Sequence, residues 1–247
     1  MIIPCQFLGG AAWERVRPRI EAAGHTLLAV DLRGWGDRRA ALAPDIGLAA
    51  HVADVVEVLE TRDLRDVTLV GHSYGGMVLA GVAALAADRL AQLIFLDAPV
   101  PRHGETLFDH LPGWAVGWYR DQAAAVGDGW RVPVPDLSIY GLSDADIAWL
   151  TPMLGAIPLR TCEEALDAPA DPAWAMPRAF VWCRQYALFE ETARRIRLDR
   201  GWNYGELEAG HLPMVTHPLE TAELLVELAG AGVANGRPHP PGATDHS

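Results

Sequence analysis

The chain has 247 residues, half of them hydrophobic, and a formal net charge of -12 at pH 7. This size and apolar content fit one compact domain whose core is large enough to fold without disulfides or metal ions. The negative charge repels phosphate backbones and anionic lipid surfaces, so the composition argues against nucleic-acid and membrane partners.

The cysteines and the first residues favour a cytoplasmic protein. Cys5, Cys162 and Cys183 are odd in number and form no Cys-x-x-Cys pair, which favours a reducing compartment over a disulfide framework or a zinc site. Residues 1–5 have no basic segment, and their apolar run is too short for a signal peptide. No stretch approaches the roughly 20 apolar residues of a membrane span. We therefore expect a cytoplasmic location.

In chain order, short β-rich runs alternate with longer helical patterns, which predicts βα units around a mostly parallel sheet of about six strands. The predicted strands are 2–5, 26–31, 67–71, 93–96, 179–183 and 202–207. The predicted helices are 13–23, 45–61, 74–87, 189–196 and 219–228.

This alternation breaks between about residues 100 and 177, a segment rich in Pro and Gly. A long segment that interrupts an α/β core is typical of a lid or a binding insertion. We therefore predict a core of residues 1–99 and 178–230, a lid insertion of residues 100–177, and a disordered tail of residues 231–247 with few apolar residues. The insertion holds five of the nine tryptophans: Trp114, Trp118, Trp130, Trp149 and Trp174.

A Gly-x-Ser-x-Gly sequence, Gly71-His72-Ser73-Tyr74-Gly75, follows the third predicted strand and precedes a helix of small residues. In such a turn the backbone is strained so that the serine hydroxyl is exposed, and the two glycines let the flanking chains approach closely. An ordinary glycine-rich turn is the alternative interpretation. The strand and helix around the turn favour Ser73 as a nucleophile.

A serine nucleophile needs a base nearby, and the chain has nine histidines. His211 follows a predicted strand and lies on a loop before the last helix, where the base of this arrangement belongs. His217 lies where that helix begins, which favours a solvated or capping role. His72 is expected to be a packed neighbour of the nucleophile. His211 is therefore the predicted base.

With these residues the chain resembles the α/β-hydrolase superfamily, in particular the compact esterases related to plant methylesterases (the salicylate methylesterase type) and hydroxynitrile lyases. The likeness covers nearly all of residues 1–230 and implies an α/β-hydrolase fold with a small lid, at the place of residues 100–177. It is carried by Gly9-Gly10-Ala11-Ala12-Trp13, Ala23-Gly24-His25, Asp31-Leu32-Arg33-Gly34-Trp35-Gly36, the serine turn and Gly210-His211.

The chain departs from this family after the first strand. Family esterases usually carry His-Gly-x there, and the backbone N–H of x helps to bind the oxyanion; this chain has Pro4-Cys5-Gln6. Because the donor is a backbone group, the resemblance implies an oxyanion hole made by the N–H groups of Gln6 and Tyr74. Cys5 is expected either to line the pocket or to be a small buried hydrophobic residue.

The chain also departs from this family at the position of the triad's acid. The family's usual aspartate follows the strand at 179–183, but the corresponding residue here is Tyr186. Other α/β-hydrolases take their acid one strand earlier, at the position of Asp97 in this chain. A carboxylate there would orient the imidazole and stabilise the imidazolium. Asp97 is therefore the predicted acid, while a turn-capping role for it stays open. The other candidates are Glu190, Glu191 and Asp199.

The resemblance implies a serine hydrolase that cleaves a small apolar or aromatic carboxylic ester or lactone through a catalytic triad and an acyl-enzyme. Leu212 stands where the hydroxynitrile lyases have a lysine, which argues against cyanohydrin cleavage. We expect no cofactor and no metal, a small-molecule substrate as the partner, and we leave a homodimer open. The predicted substrate-binding residues are Cys5, Phe7, Leu212, Trp114 and Trp118, although the tryptophans could instead form the core of the lid.

Two other functions remain open at this stage. A cofactor-free lyase, cyclase or isomerase could use the same Ser–His site as acid and base. A non-catalytic small-molecule-binding module could also use this fold.

Overall fold

The computed structural model describes residues 1–168 and 176–235, with side chains through residue 230. The strands within these residues are β1 Ile2–Ile3, β2 Val67–His72, β3 Leu90–Leu96, β4 Arg131–Val132, β5 Ile157–Pro158, β6 Arg178–Cys183 and β7 Asn203–Leu207. The α-helices are α1 Arg17–Ala22, α2 Leu48–Thr61, α3 Gly75–Leu85, α4 Gly113–Val126, α5 Asp144–Leu150, α6 Arg160–Glu163, α7 Glu190–Arg197, α8 Pro213–Thr216 and α9 Pro218–Asn235. None of these helices is both long enough and apolar enough to span a lipid bilayer.

The central sheet has five parallel strands in the order β1-β2-β3-β6-β7. Side chains of its middle strand, β3, alternate between two apolar layers. Leu93 and Phe95 pack into the layer that contains α2 and α3, whereas Ile94 and Leu96 pack into the layer of α1 and α9. A parallel sheet covered on both faces in this way confirms the predicted α/β architecture.

The predicted strand at 26–31 is reduced to a single parallel bridge between Ala29 and Ile2. Two backbone hydrogen bonds surround it, from the Ile2 N–H to Leu28 and from the Val30 N–H to Ile2. The first strand is also shorter than predicted, because Pro4 has no N–H with which to continue the pairing. The sheet therefore has five strands, where the sequence suggested about six.

Residues 100–177 lie between β3 and β6 and contribute α4, α5 and α6. They also contain the antiparallel pair β4–β5, which the sequence pattern did not indicate. Trp174 lies outside the described residues. At the other end, α9 extends to Asn235, past residue 230 where we placed the end of the core. The rest of the predicted tail, residues 236–247, lies outside the described residues.

Candidate active site

The turn around Ser73 has a conformation that its glycines make possible. Ser73 has a φ of +54°, in the left-handed region that most side chains avoid. A Cβ atom on Gly71 would lie 2.5 Å from the carbonyl oxygen of Gly75, and one on Gly75 would lie 2.6 Å from that of Ile3. Both approaches are shorter than any carbon side chain allows. The glycines therefore let β2 turn sharply into α3 and leave Ser73 at the carboxyl end of the sheet.

Ser73, His211 and Asp97 form one hydrogen-bonded line. The His211 Nε2 atom lies 2.9 Å from the Ser73 Oγ, and its Nδ1 lies 2.6 Å from the Asp97 Oδ2. Both distances are within the limit of about 3.2 Å expected for a base and its partners. Asp97 directly follows β3, is fully buried, and accepts a second hydrogen bond from the Cys183 N–H at 3.3 Å. The structure thus brings the predicted nucleophile, base and acid together.

The rival carboxylates are bonded elsewhere or exposed. Glu190 accepts a hydrogen bond from Arg194, Asp199 accepts one from the Gly201 N–H, and Glu191 is exposed. Asp97 is therefore the carboxylate that meets His211 among the residues the structure describes.

Burial lowers the pKa of His211 to about 3, because an imidazolium would lose its hydration. The ring is therefore neutral at pH 7. If its Nδ1–H donates to Asp97, its Nε2 is free to accept the proton of Ser73. Burial also raises the pKa of Asp97, and the Cys183 N–H opposes that shift. A carboxylate with so little water gains most from a cation that forms beside it.

The other histidines near the turn have different roles. His72 Nε2 lies 2.7 Å from the carbonyl oxygen of His211, so this nitrogen carries a proton and donates it. His72 thereby ties the backbone of the loop that carries His211 to β2. His217 bonds to the Thr216 hydroxyl.

The two predicted oxyanion donors have free backbone N–H groups. Within residues 1–168 and 176–235, neither the Gln6 N–H nor the Tyr74 N–H has a hydrogen-bond acceptor in the protein. Tyr74 is the residue directly before α3, its N-cap, and its N–H has no partner inside the helix. Both groups are thus available to an oxygen that develops negative charge.

A cavity with mainly apolar walls lies over Ser73, between the carboxyl ends of the strands and the insertion. Its free space is about 40 Å³, which is room for a few water molecules. Cys5, Phe7 and Leu212 line it, as expected from the sequence. The wall that the sequence did not indicate includes Leu107, Leu111, Tyr119, Tyr140 and Leu154.

Trp114 and Trp118, which the sequence suggested as substrate contacts, do not line this cavity. Trp114 is 74% exposed on the outer side of α4. Trp118 packs against the ring of Tyr119, with 5.2 Å between ring centroids. The inward face of α4 is marked by two buried alanines, Ala115 and Ala123, with Tyr119 midway between them.

Tyr186, at the position of the family's usual acid, stacks on His211 with 4.3 Å between ring centroids and 27° between planes. Tyr140 stacks more distantly, at 5.8 Å, and Phe189 lies at 6.1 Å. These rings shield the imidazole from water, which explains much of its burial.

Comparisons with known proteins support the family and the fold. A model of the family described as "Alpha/beta hydrolase family" matches residues 2–224. The chain is 29% identical over 230 residues to a carbendazim hydrolyzing esterase of Nocardioides sp. (strain SG-4G), covering 89% of this chain and 95% of the relative. It is 24% identical to methylesterase 1 of Arabidopsis thaliana, covering 90% and 92%. A solved extracellular alpha/beta-hydrolase from a Paenibacillus species superposes with a TM-score of 0.80 at 20% identity, covering 92% and 97%.

Proposed function

The chain belongs to the alpha/beta hydrolase family, and from this premise we propose that it is a serine esterase that cleaves a small carboxylic ester. The observation that carries the proposal is the line of hydrogen bonds from Asp97 through His211 to Ser73. The two similar proteins named above, an esterase and a methylesterase, support the same class of reaction.

The reaction follows from the positions of these groups. The Ser73 oxygen attacks the ester carbonyl while His211 Nε2 takes the hydroxyl proton, and Asp97 stabilises the imidazolium. The carbonyl oxygen becomes an oxyanion that the N–H groups of Gln6 and Tyr74 bind. The intermediate then expels the alcohol, which receives the proton from His211, and leaves an acyl-enzyme. A water molecule, deprotonated by His211, attacks the acyl carbon and releases the acid and Ser73.

The cavity supports a substrate with a small apolar acyl group. Its free space is small, about 40 Å³, and leucine and aromatic side chains form most of its wall. Leu212 is buried at this wall, so the site has no lysine beside His211 to handle cyanide. Among esters, we expect short-chain and aryl acetates to be turned over faster than long-chain esters.

We also propose that the protein acts in the cytoplasm, on a small molecule, without a nucleic-acid or membrane partner. All three cysteines are free and buried, which suits a reducing compartment. The net charge of -12 disfavours anionic partners. Cell fractionation would test the location.

Labelling and turnover test the proposed reaction together. We expect a fluorophosphonate probe to modify Ser73, as located by peptide mass spectrometry, and the protein to hydrolyse p-nitrophenyl acetate faster than p-nitrophenyl octanoate. Ser73→Ala should abolish labelling and reduce turnover by at least about a thousandfold. Ser138→Ala is the matched control, because Ser138 is exposed on the surface. Unlabelled Ser73, or turnover that survives in Ser73→Ala, would exclude the proposed mechanism.

A further inference from the structure

The side chain of Gln6 is held from both ends of its amide by the insertion. The Tyr119 hydroxyl donates to Gln6 Oε1 at 2.6 Å, and Gln6 Nε2 donates to Cys162 Sγ at 3.1 Å. Tyr119 belongs to α4 and Cys162 to α6, so the two bonds come from separate parts of residues 100–177. Gln6 is buried, so these two bonds fix its side chain inside the protein.

The backbone conformation of the next residue, Phe7, depends on contacts that restrain this loop. Phe7 has a φ of +68°, a conformation that a residue with a large side chain rarely adopts. Such a conformation persists only when surrounding contacts impose it. One of these contacts is a hydrogen bond of 2.9 Å from the Gly155 N–H, also in the insertion, to the Phe7 carbonyl oxygen. Three bonds from the insertion thus hold residues 6 and 7.

We propose that Tyr119 is a positioning residue, which holds Gln6 so that its backbone N–H meets the oxyanion of the ester reaction. The inference rests on the proposed function, because it concerns the same oxyanion hole. The hydroxyl of Tyr119 does not touch the reacting atoms in this role. It fixes the side chain of the residue whose backbone does, and it links the position of α4 to the geometry of the catalytic site.

This role differs from that of a packing residue, and the two can be separated. The Tyr119 ring packs against Trp118 and Phe108, with centroids 5.2 Å and 5.8 Å away. Tyr119→Phe keeps these ring contacts and removes only the hydroxyl. An oxyanion donor acts in the transition state and much less in substrate binding, so its displacement should lower kcat more than it changes KM.

The experiment compares the wild type with Tyr119→Phe, using p-nitrophenyl acetate as substrate and an aryl trifluoromethyl ketone as inhibitor. This ketone forms an oxyanion when the serine adds to it. We expect kcat to fall about tenfold to a hundredfold, KM to change by less than about threefold, and the inhibitor Kd to rise in parallel with the loss of kcat. Tyr204→Phe is the control, because it removes a hydroxyl that bonds to Glu206 on β7 at 3.0 Å, and it should leave all three values unchanged.

A second pair of variants tests the other end of the Gln6 amide and protects the test against a folding defect in Tyr119→Phe. Cys162→Ala removes the acceptor and should show the same pattern, whereas Cys162→Ser keeps an acceptor and should retain most of the activity. Wild-type kcat in Tyr119→Phe would overturn the inference, whatever Cys162→Ala shows, as would a rise in KM alone. A wild-type protein that neither labels at Ser73 nor hydrolyses the ester would instead overturn the proposed function.

Discussion

Asp97 follows β3, whereas the family's usual acid follows the strand at 179–183. Replacing Asp97 therefore tests which residue is the acid of the triad. In Asp97→Asn the amide can donate to His211 Nδ1 and hold the imidazole in the wrong tautomer. A loss in kcat approaching about 10⁴-fold is known for this change in a serine protease, and we expect a similar loss here. Turnover of p-nitrophenyl acetate measures it.

Tyr186→Phe is the matched comparison for that variant. The phenylalanine ring keeps the stacking on His211, at 4.3 Å between centroids, and burial raises the pKa of Tyr186, so its hydroxyl is neutral at pH 7. It cannot balance an imidazolium, and its loss should cost less than about tenfold in kcat. A loss in Tyr186→Phe as large as that in Asp97→Asn would show that the acid has been assigned wrongly.

The positions of Ser73, Asp97 and His211 could be predicted from the sequence because each lies shortly after a strand. The carboxyl ends of parallel strands meet at one edge of a sheet, so chain positions alone bring such residues near each other. The contacts of the Gln6 side chain could not be predicted from chain positions in this way. Its partners, Tyr119 and Cys162, lie more than a hundred residues away in a segment without a recognisable pattern.

The turn between β2 and α3 positions Ser73 and the Tyr74 N–H, and its backbone is closely packed at Gly75. In Gly75→Ala the new Cβ would lie 2.6 Å from the Ile3 carbonyl oxygen, a backbone atom that cannot move aside. We expect the free energy of unfolding to fall by about 1–3 kcal/mol, and kcat to fall as well, because Gly75 directly follows Tyr74, whose N–H is a proposed oxyanion donor. Urea unfolding and ester turnover measure the two effects.

Gly117→Ala in α4 is the control for that substitution. Nothing lies within 4 Å of the position of its Cβ, and alanine favours a helix over glycine by roughly 0.5–1 kcal/mol. This variant should therefore be slightly more stable than the wild type. Equal changes in the free energy of unfolding in Gly75→Ala and Gly117→Ala would contradict the close approach of Gly75 to the Ile3 carbonyl oxygen.

Helix α4 also shows where the structure differs from the suggested cavity wall. Trp114 and Trp118 were suggested as substrate contacts for their large aromatic area, and they lie outside the cavity over Ser73. The buried face instead carries Ala115, Tyr119 and Ala123, where small residues let the helix approach the core. The spacing of these alanines was the signal in the sequence that pointed to Tyr119.

At the scale of the whole molecule, the three-layer fold could be predicted because the alternation of strands and helices extends over most of the chain. The predicted strand at 26–31 was wrong in extent, since only Ala29 pairs with Ile2. Strand patterns report burial and side-chain type, and they do not report whether the neighbouring strand is long enough to pair. Here β1 ends before Pro4, so the edge of the sheet offers only two residues.

Buried neutral histidines should make the whole molecule sensitive to acid. Burial lowers the pKa of His51 to about 4, despite the opposing effect of the Arg33 carbonyl, and burial lowers the pKa of His72 well below 6.5. The unfolded chain binds protons at these residues below pH 6.5, whereas the folded chain does not. The free energy of unfolding should therefore fall as the pH drops from 6.5 towards 4, by up to roughly 2.7 kcal/mol per pH unit for the two groups.

Urea unfolding between pH 7.5 and 5 measures how steeply the free energy of unfolding falls with acid, and two variants identify the histidine responsible. His51→Gln loses the hydrogen bonds to Tyr74 and Arg33, so it should be less stable at every pH. The slope should nevertheless be smaller than that of the wild type, by up to roughly 1.4 kcal/mol per pH unit, because one titrating group is gone while His72 and His211 remain. His25→Gln changes an exposed histidine and is the surface control. The lost hydrogen bonds lower the free energy of unfolding equally at every pH, so the slope of that free energy against pH is the informative quantity. An unchanged slope in His51→Gln would show that His51 does not resist protonation in the folded protein.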